Sequence, residues 1–127
     1  MITFAEKLKQ LNGFISLGSV EPLLIDLAEK KLSLKFSEEF KNYILLFGVA
    51  SGAGHEFTGI IDSERLNVVT VTEKMRTKSI VPLNLYVVEE AHIDGIVIWQ
   101  DEKGAVYQTS PGCEPIKIAA SLLEYIS

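Results

Sequence analysis

The 127-residue chain holds one cysteine, two histidines and one tryptophan, and these scarcities close off several kinds of chemistry. Cys113 cannot form an internal disulfide, which suits a reducing compartment. Its surroundings, Ser110-Pro111-Gly112-Cys113-Glu114-Pro115, supply no base to make a thiolate, so it reads as a bystander rather than a nucleophile. His55 and His92 stand in no His-x-x-x-His spacing and no Cys-x-x-Cys exists, so no metal and no cofactor are expected. There is no Gly-x-Ser-x-Gly elbow; a spatially assembled Ser-His-Asp set stays open, because sequence spacing does not test it. No apolar run approaches the roughly 18–20 residues that span a bilayer. The stretch Met1-Ile2-Thr3-Phe4-Ala5-Glu6-Lys7 lacks a basic segment leading into an apolar one, so no secretory signal is read. The expectation is a cytoplasmic protein with no membrane association. Repeats, low-complexity segments and shifts in composition are also lacking, which makes residues 1–127 a single domain.

What is present is a good supply of core. A hydrophobic fraction of 47% and a mean hydropathy of +0.22 argue against disorder. The net charge of −5 is unevenly placed. Residues 1–48 hold six Lys against six acids, while residues 79–114 hold Glu89, Glu90, Asp94, Asp101, Glu102 and Glu114 against Lys103 alone. The whole excess therefore falls in the second region. Such a field repels phosphates, which speaks against nucleic acid, and can steer a basic partner; it can equally be a solvated surface that confers solubility.

Helical signals dominate the first half. Thr3-Phe4-Ala5-Glu6 has capping-box spacing, and Phe4, Leu8 and Leu11 recur at helical period until Asn12-Gly13. Ser19 is a candidate N-cap, with Pro22 in the first turn and Leu23, Leu27 and Ala28 on one stripe. Ser37 precedes Glu38-Glu39, and Phe40, Tyr43, Ile44 and Phe47 mark the buried side of a helix that stops at Gly48. The segment 48–54 is rich in glycine but lacks the Lys-Ser/Thr of a phosphate loop and follows a helix, so it reads as a connection into a first strand over 55–61. Residues 66–76 suit a strand and a helix about equally.

Strand signals dominate the second half. Leu85 to Val88, Ile96 to Gln100, Ala105 to Gln108 and Pro115 to Ile118 are separated by turn residues, including Asp94-Gly95 and Asp101-Glu102-Lys103-Gly104. Ile96-Val97-Ile98-Trp99 is apolar at consecutive positions, so both faces of that strand should be covered. Trp99 and Tyr107 are expected across a hairpin, with Trp99 in the core. A short helix from about Ala119 closes the pattern. Of the paired carboxylates, Glu38-Glu39 suits a helix start and Asp101-Glu102 a turn; Glu89-Glu90 is the pair that local structure explains least. His55-Glu56 on a strand would point to opposite faces and make no ready acid–base pair. No enzymatic site is expected.

The order of these signals resembles the SUKH superfamily, which includes fungal cell-wall-assembly regulators and many bacterial immunity proteins. The likeness covers most of residues 20–127. It rests on Ala28 to Leu34, Phe36 to Leu45, the glycine-rich loop with Gly59-Ile60, and Val68-Val69 with Thr72 and Arg76. It continues through Leu85 to Val88, Ile98-Trp99-Gln100-Asp101 with Gly104-Ala105-Val106-Tyr107, and Ala120 to Ile126. Lys35-Phe36 stands where the family often has Leu-Pro, and Phe47-Gly48 where it often has Asn-Gly. The resemblance implies an α+β fold, with N-terminal helices packed on a mostly antiparallel sheet of about 4–6 strands and a closing C-terminal helix. It also implies that 67–76 is helical, and that the protein is a non-catalytic module binding a protein partner. For an immunity protein that partner is a cognate bacterial toxin, often a basic nuclease. Glu89, Glu90, Asp94, Asp101 and Glu102 are then the expected partner-binding residues. A scaffold like the fungal regulators, or a small-ligand domain using the 48–54 loop and its adjoining cleft, are the alternatives.

Overall fold

A computed structural model describes residues 2–127. The order of elements is α1 (Phe4–Lys9), β1 (Ile15–Ser16), α2 (Pro22–Leu32), α3 (Glu38–Phe47), β2 (Ala50–Gly52), β3 (His55–Glu56) and α4 (Val68–Arg76). There follow β4 (Tyr86–Glu90), β5 (Val97–Gln100), β6 (Val106–Thr109), β7 (Ile116–Ala119) and α5 (Leu122–Ile126). The strands form two antiparallel sheets, one of three strands ordered β1-β2-β3 and one of four ordered β4-β5-β6-β7. The fold is α+β, as expected, with a closing helix.

Local chemistry explains the helix ends. Thr3 Oγ1 accepts the Glu6 amide and Glu6 returns a carboxylate to the Thr3 amide, completing the capping box. Ser37 Oγ accepts the Phe40 amide at 3.0 Å and starts α3, whose buried side is Phe40, Tyr43, Ile44 and Phe47. Residues 66–76 resolve as a helix because Asn67 Oδ1 accepts the amides of Val69 and Thr70 while its Nδ2 holds the Ile61 carbonyl. The cap outweighs the β propensity of Val68-Val69-Thr70-Val71.

Helix α2 departs from expectation twice. It starts at Pro22 behind Glu21, not at Ser19, since proline needs no amide partner at the first helical position. Its buried residues are Ile25, Ala28, Glu29 and Leu32, whereas Leu23 and Leu27 face solvent. The rotation follows from Glu29, whose carboxylate is drawn inward to accept the Phe36 amide at 2.8 Å and so ties α2 to the turn that follows it.

The small sheet also departs from expectation: instead of one first strand over 55–61, the first strand is Ile15–Ser16, β2 lies inside the glycine-rich segment and β3 covers only His55–Glu56. Beyond Glu56 only single bridges continue, at Phe57 with Glu89 and Gly59 with Asn67. Strands of two or three residues are too short to show a period of two. Gly59 is required by packing: a Cβ there would meet the Gly48 carbonyl oxygen at 1.7 Å.

Strand β5 is covered on both faces, as its unbroken apolar run requires. Ile98 joins the main core with Tyr86, Val88, Phe40, Tyr43 and Phe57, while Val97 and Trp99 pack with Val87, Val71 and Met75 of α4. Trp99 pairs with Tyr107 across the hairpin, is fully buried, and donates Nε1–H to Thr109 Oγ1 at 2.9 Å. One polar network crosses the core. Gln100, with 0% exposure, accepts hydrogen bonds from Tyr86 and Ser37 and donates to Glu39 and to the Gly104 carbonyl. Glu39 in turn accepts the amides of Leu122 and Leu123, which docks the start of α5 onto α3.

Candidate functional site

The site begins with an irregularity in β4. Tyr86 pairs with Gln100 and Val87 with Trp99, but the next pairs are Glu89 with Ile98 and Glu90 with Val97, so Val88 is an extra residue. In a regular strand Glu89 would share the α4 side with Val87. The bulge turns it instead to the side of Ile98, into the body of the domain. Glu90 then lies opposite Val97 on the α4 side, with Lys74 Nζ at 3.8 Å.

The turned carboxylate is buried, at 4% exposure, and three donors converge on it. Tyr125 of α5 donates its hydroxyl to Oε1 at 2.7 Å, His55 Nδ1 lies 3.0 Å from the same oxygen, and the Glu56 amide donates to Oε2 at 2.8 Å. A carboxylate only accepts, so Nδ1 carries the imidazole proton towards Glu89 and Nε2 is left for other partners. The ring itself is held by aromatics. It stacks on Phe57, with centroids 5.5 Å apart and 13° between planes, and meets Tyr125 edge-on at 5.5 Å. Burial, then the hydrogen bond to Glu89, pushes the Tyr125 hydroxyl well above the usual phenol range. Beside it, the Glu56 carboxylate is held below the ordinary range, chiefly by its hydrogen bond from Arg65, whose Nη2 lies 2.9 Å away.

This assembly forms one wall of a polar cleft of about 580 Å³. The opposite wall is backbone: the β2–β3 turn at Ala53 and Gly54, and Asn12-Gly13 after α1, joined by the Ala53 amide on the Asn12 carbonyl at 2.8 Å. Glu90, Ala91 and His92 complete the rim. Such a cleft is suited to ligands rich in hydrogen-bond donors or positive charge, since the side chains that line it are mainly carboxylate and imidazole. Among the described residues no hydroxyl or thiol is hydrogen-bonded to His55 Nε2, and no three metal-ligating side chains converge.

The five acidic residues picked out in the sequence do not share one surface. Glu89 lies inside, Glu90 on the rim, and Asp94 is exposed in the turn between β4 and β5. Asp101 and Glu102 lie at the other end of β5, roughly 10 Å away along the ladder. Asp101 is engaged locally: its Oδ1 accepts the amides of Lys103 and Ala105, and Tyr107 donates to Oδ2 at 3.2 Å. Glu102 is exposed. His55 and Tyr125 escape a sequence reading altogether, because they lie 34 and 36 residues from Glu89. The one available signal was that Glu89-Glu90 had no local explanation.

These features define a small α+β domain with a polar, acid-lined cleft where two sheets and the last helix meet. A family model described as SMI1-KNR4 cell-wall (SUKH_5) matches residues 1–112, so the chain belongs to the SUKH superfamily. The match ends before β7 and α5, so Tyr125 comes from outside the matched region. A search of curated proteins returns no match. The family marks an immunity-like or cell-wall-regulator-like protein-binding module. No helix among the described residues is long and apolar enough to cross a membrane.

Proposed function

We propose that the protein is a cytoplasmic, non-catalytic immunity protein that neutralises a cognate bacterial toxin, of basic character such as a nuclease, by binding it directly. The observation that carries this reading is the acidic rim of the cleft on a SUKH domain. Glu90 stands at its edge with the buried Glu89 carboxylate behind it, and Asp94 is exposed in the turn that follows β4. A basic toxin side chain approaching there meets carboxylates whose supports are already ordered, so little reorganisation is required on binding. Asp101 and Glu102, at the far end of the sheet, add to the field that steers association. Co-expression with a toxin encoded beside this gene tests the reading: growth should be rescued and the two proteins should co-purify. A toxin that kills undiminished, with no complex recovered, overturns it.

A small-ligand reading draws support from the cleft itself, since its size suits a compact polar molecule and the Ser51–Gly54 turn forms part of it. A thermal-shift screen of cationic metabolites tests that reading, and a screen without a stabilising hit counts against it.

A further inference from the structure

Helix α2 carries apolar side chains on two opposite sides. Ile25, Ala28 and Leu32 face the core, while Leu23, Leu24 and Leu27 are 65%, 43% and 43% exposed. A surface helix normally shows one apolar stripe, turned to the core, so the second stripe calls for a cover of its own. At 3.6 residues per turn, Leu23 and Leu27 form the outermost stripe; Asp26 and Lys30 lie on one flank, Leu24 and Lys31 on the other. Asp26, Lys30 and Lys31 have no ion-pair partner among the described residues.

We propose that this face is the contact between two copies of the chain, formed by antiparallel packing of α2 on α2 about a twofold axis near Leu27. In such a pair each flank meets its own counterpart. Asp26 of one copy therefore faces Lys30 of the other, twice. Leu27 packs on Leu27, and Leu23 and Leu24 lie along the aliphatic stems of Lys30 and Lys31. The antiparallel arrangement also sets each helix's negative end beside the other's positive end. Alternating signs on one flank favour a second copy over an anionic membrane, which would call for a uniformly basic rim. The contact is small, so the dimer exchanges with monomer. It leaves the cleft of Glu89 and His55 free, so it neither needs nor excludes the toxin-binding reading.

Sedimentation equilibrium of the full chain over a range of concentrations tests the contact. Wild type should show a monomer–dimer equilibrium. Lys30→Glu, which sets acid against acid, should weaken it about tenfold, and Leu23→Ser with Leu27→Ser should abolish it. Asp26→Lys combined with Lys30→Glu, which exchanges the charges, should restore it. All four positions are exposed, so unchanged melting temperatures establish that each variant is folded. A wild type that stays monomeric overturns the proposal. So does a dimer that withstands the leucine substitutions, or one that the charge exchange fails to restore. Monomeric protein that binds phosphatidylserine vesicles through the same leucines assigns the face to a membrane and likewise overturns it.

Discussion

Tyr125 on the last helix donates a 2.7 Å hydrogen bond to Glu89 at the end of β4, joining two residues 36 positions apart. The contact exists because a bulge at Val88 turns Glu89 inward and because Glu39 docks the start of α5. It links the closing helix to the candidate binding cleft. Tyr125→Phe should therefore cost about 1.5–3 kcal/mol, the range for one hydrogen bond to a charged group, as measured by urea unfolding. No loss of stability would mean that the carboxylate finds an equal donor in water.

The network around Gln100 should be more sensitive. Gln100→Leu keeps the volume but strands the Tyr86 and Ser37 hydroxyls and the Gly104 carbonyl in a fully buried position. A loss on the order of 2–4 kcal/mol is expected by denaturant titration. Gln100→Glu should not rescue it, because a carboxylate cannot donate to Glu39 or to the carbonyl.

Burial pushes the hydroxyls of Tyr43, Tyr86 and Tyr125 above their ordinary value of 10.0. These groups are held neutral in the fold, whereas the unfolded chain releases their protons near pH 10. The folded state binds more protons there, so stability should be unaffected by them below about pH 10 and fall as the pH rises further. Phenolate absorbance followed alongside circular dichroism checks this. Ionisation of Tyr43 and Tyr86 should coincide with loss of structure.

Gly59→Ala should be among the most disruptive single-methyl changes, because the added carbon overlaps the Gly48 carbonyl oxygen at 1.7 Å. A cost of about 3 kcal/mol or more is expected in thermal unfolding. Gly54→Ala adds its methyl in open space and should cost only about 1 kcal/mol, from its positive φ of 83°.

Reversing Glu90 and Asp94 to lysine tests the partner face. Glu90 lines the cleft and Asp94 is exposed in the turn that follows β4, and together the two reversals should slow toxin association about 10- to 100-fold at low salt, with a smaller effect in high salt. Reversal of Glu102 alone should alter the rate only modestly. Equal rates for wild type and the double variant in surface-plasmon measurements would remove this rim from the interface.

The α+β class, the capping box of α1, the buried side of α3 and the covered central strand were legible in the chain alone. Each depends on neighbours within a few residues, where period and side-chain chemistry act directly. Membership of the SUKH superfamily was legible for a related reason: the order of such local signals is itself a pattern. Tertiary structure decided the rest. Which way α2 turns its leucines depends on Glu29 reaching Phe36 across a turn, and no count of apolar spacing contains that bond. The cleft depends on one extra residue at Val88, which reverses the face of Glu89 without leaving a mark in composition. His55, Tyr125 and Glu89 act together only because two sheets and a helix meet there, and the burial that gathers their hydrogen bonds is a property of the folded chain alone.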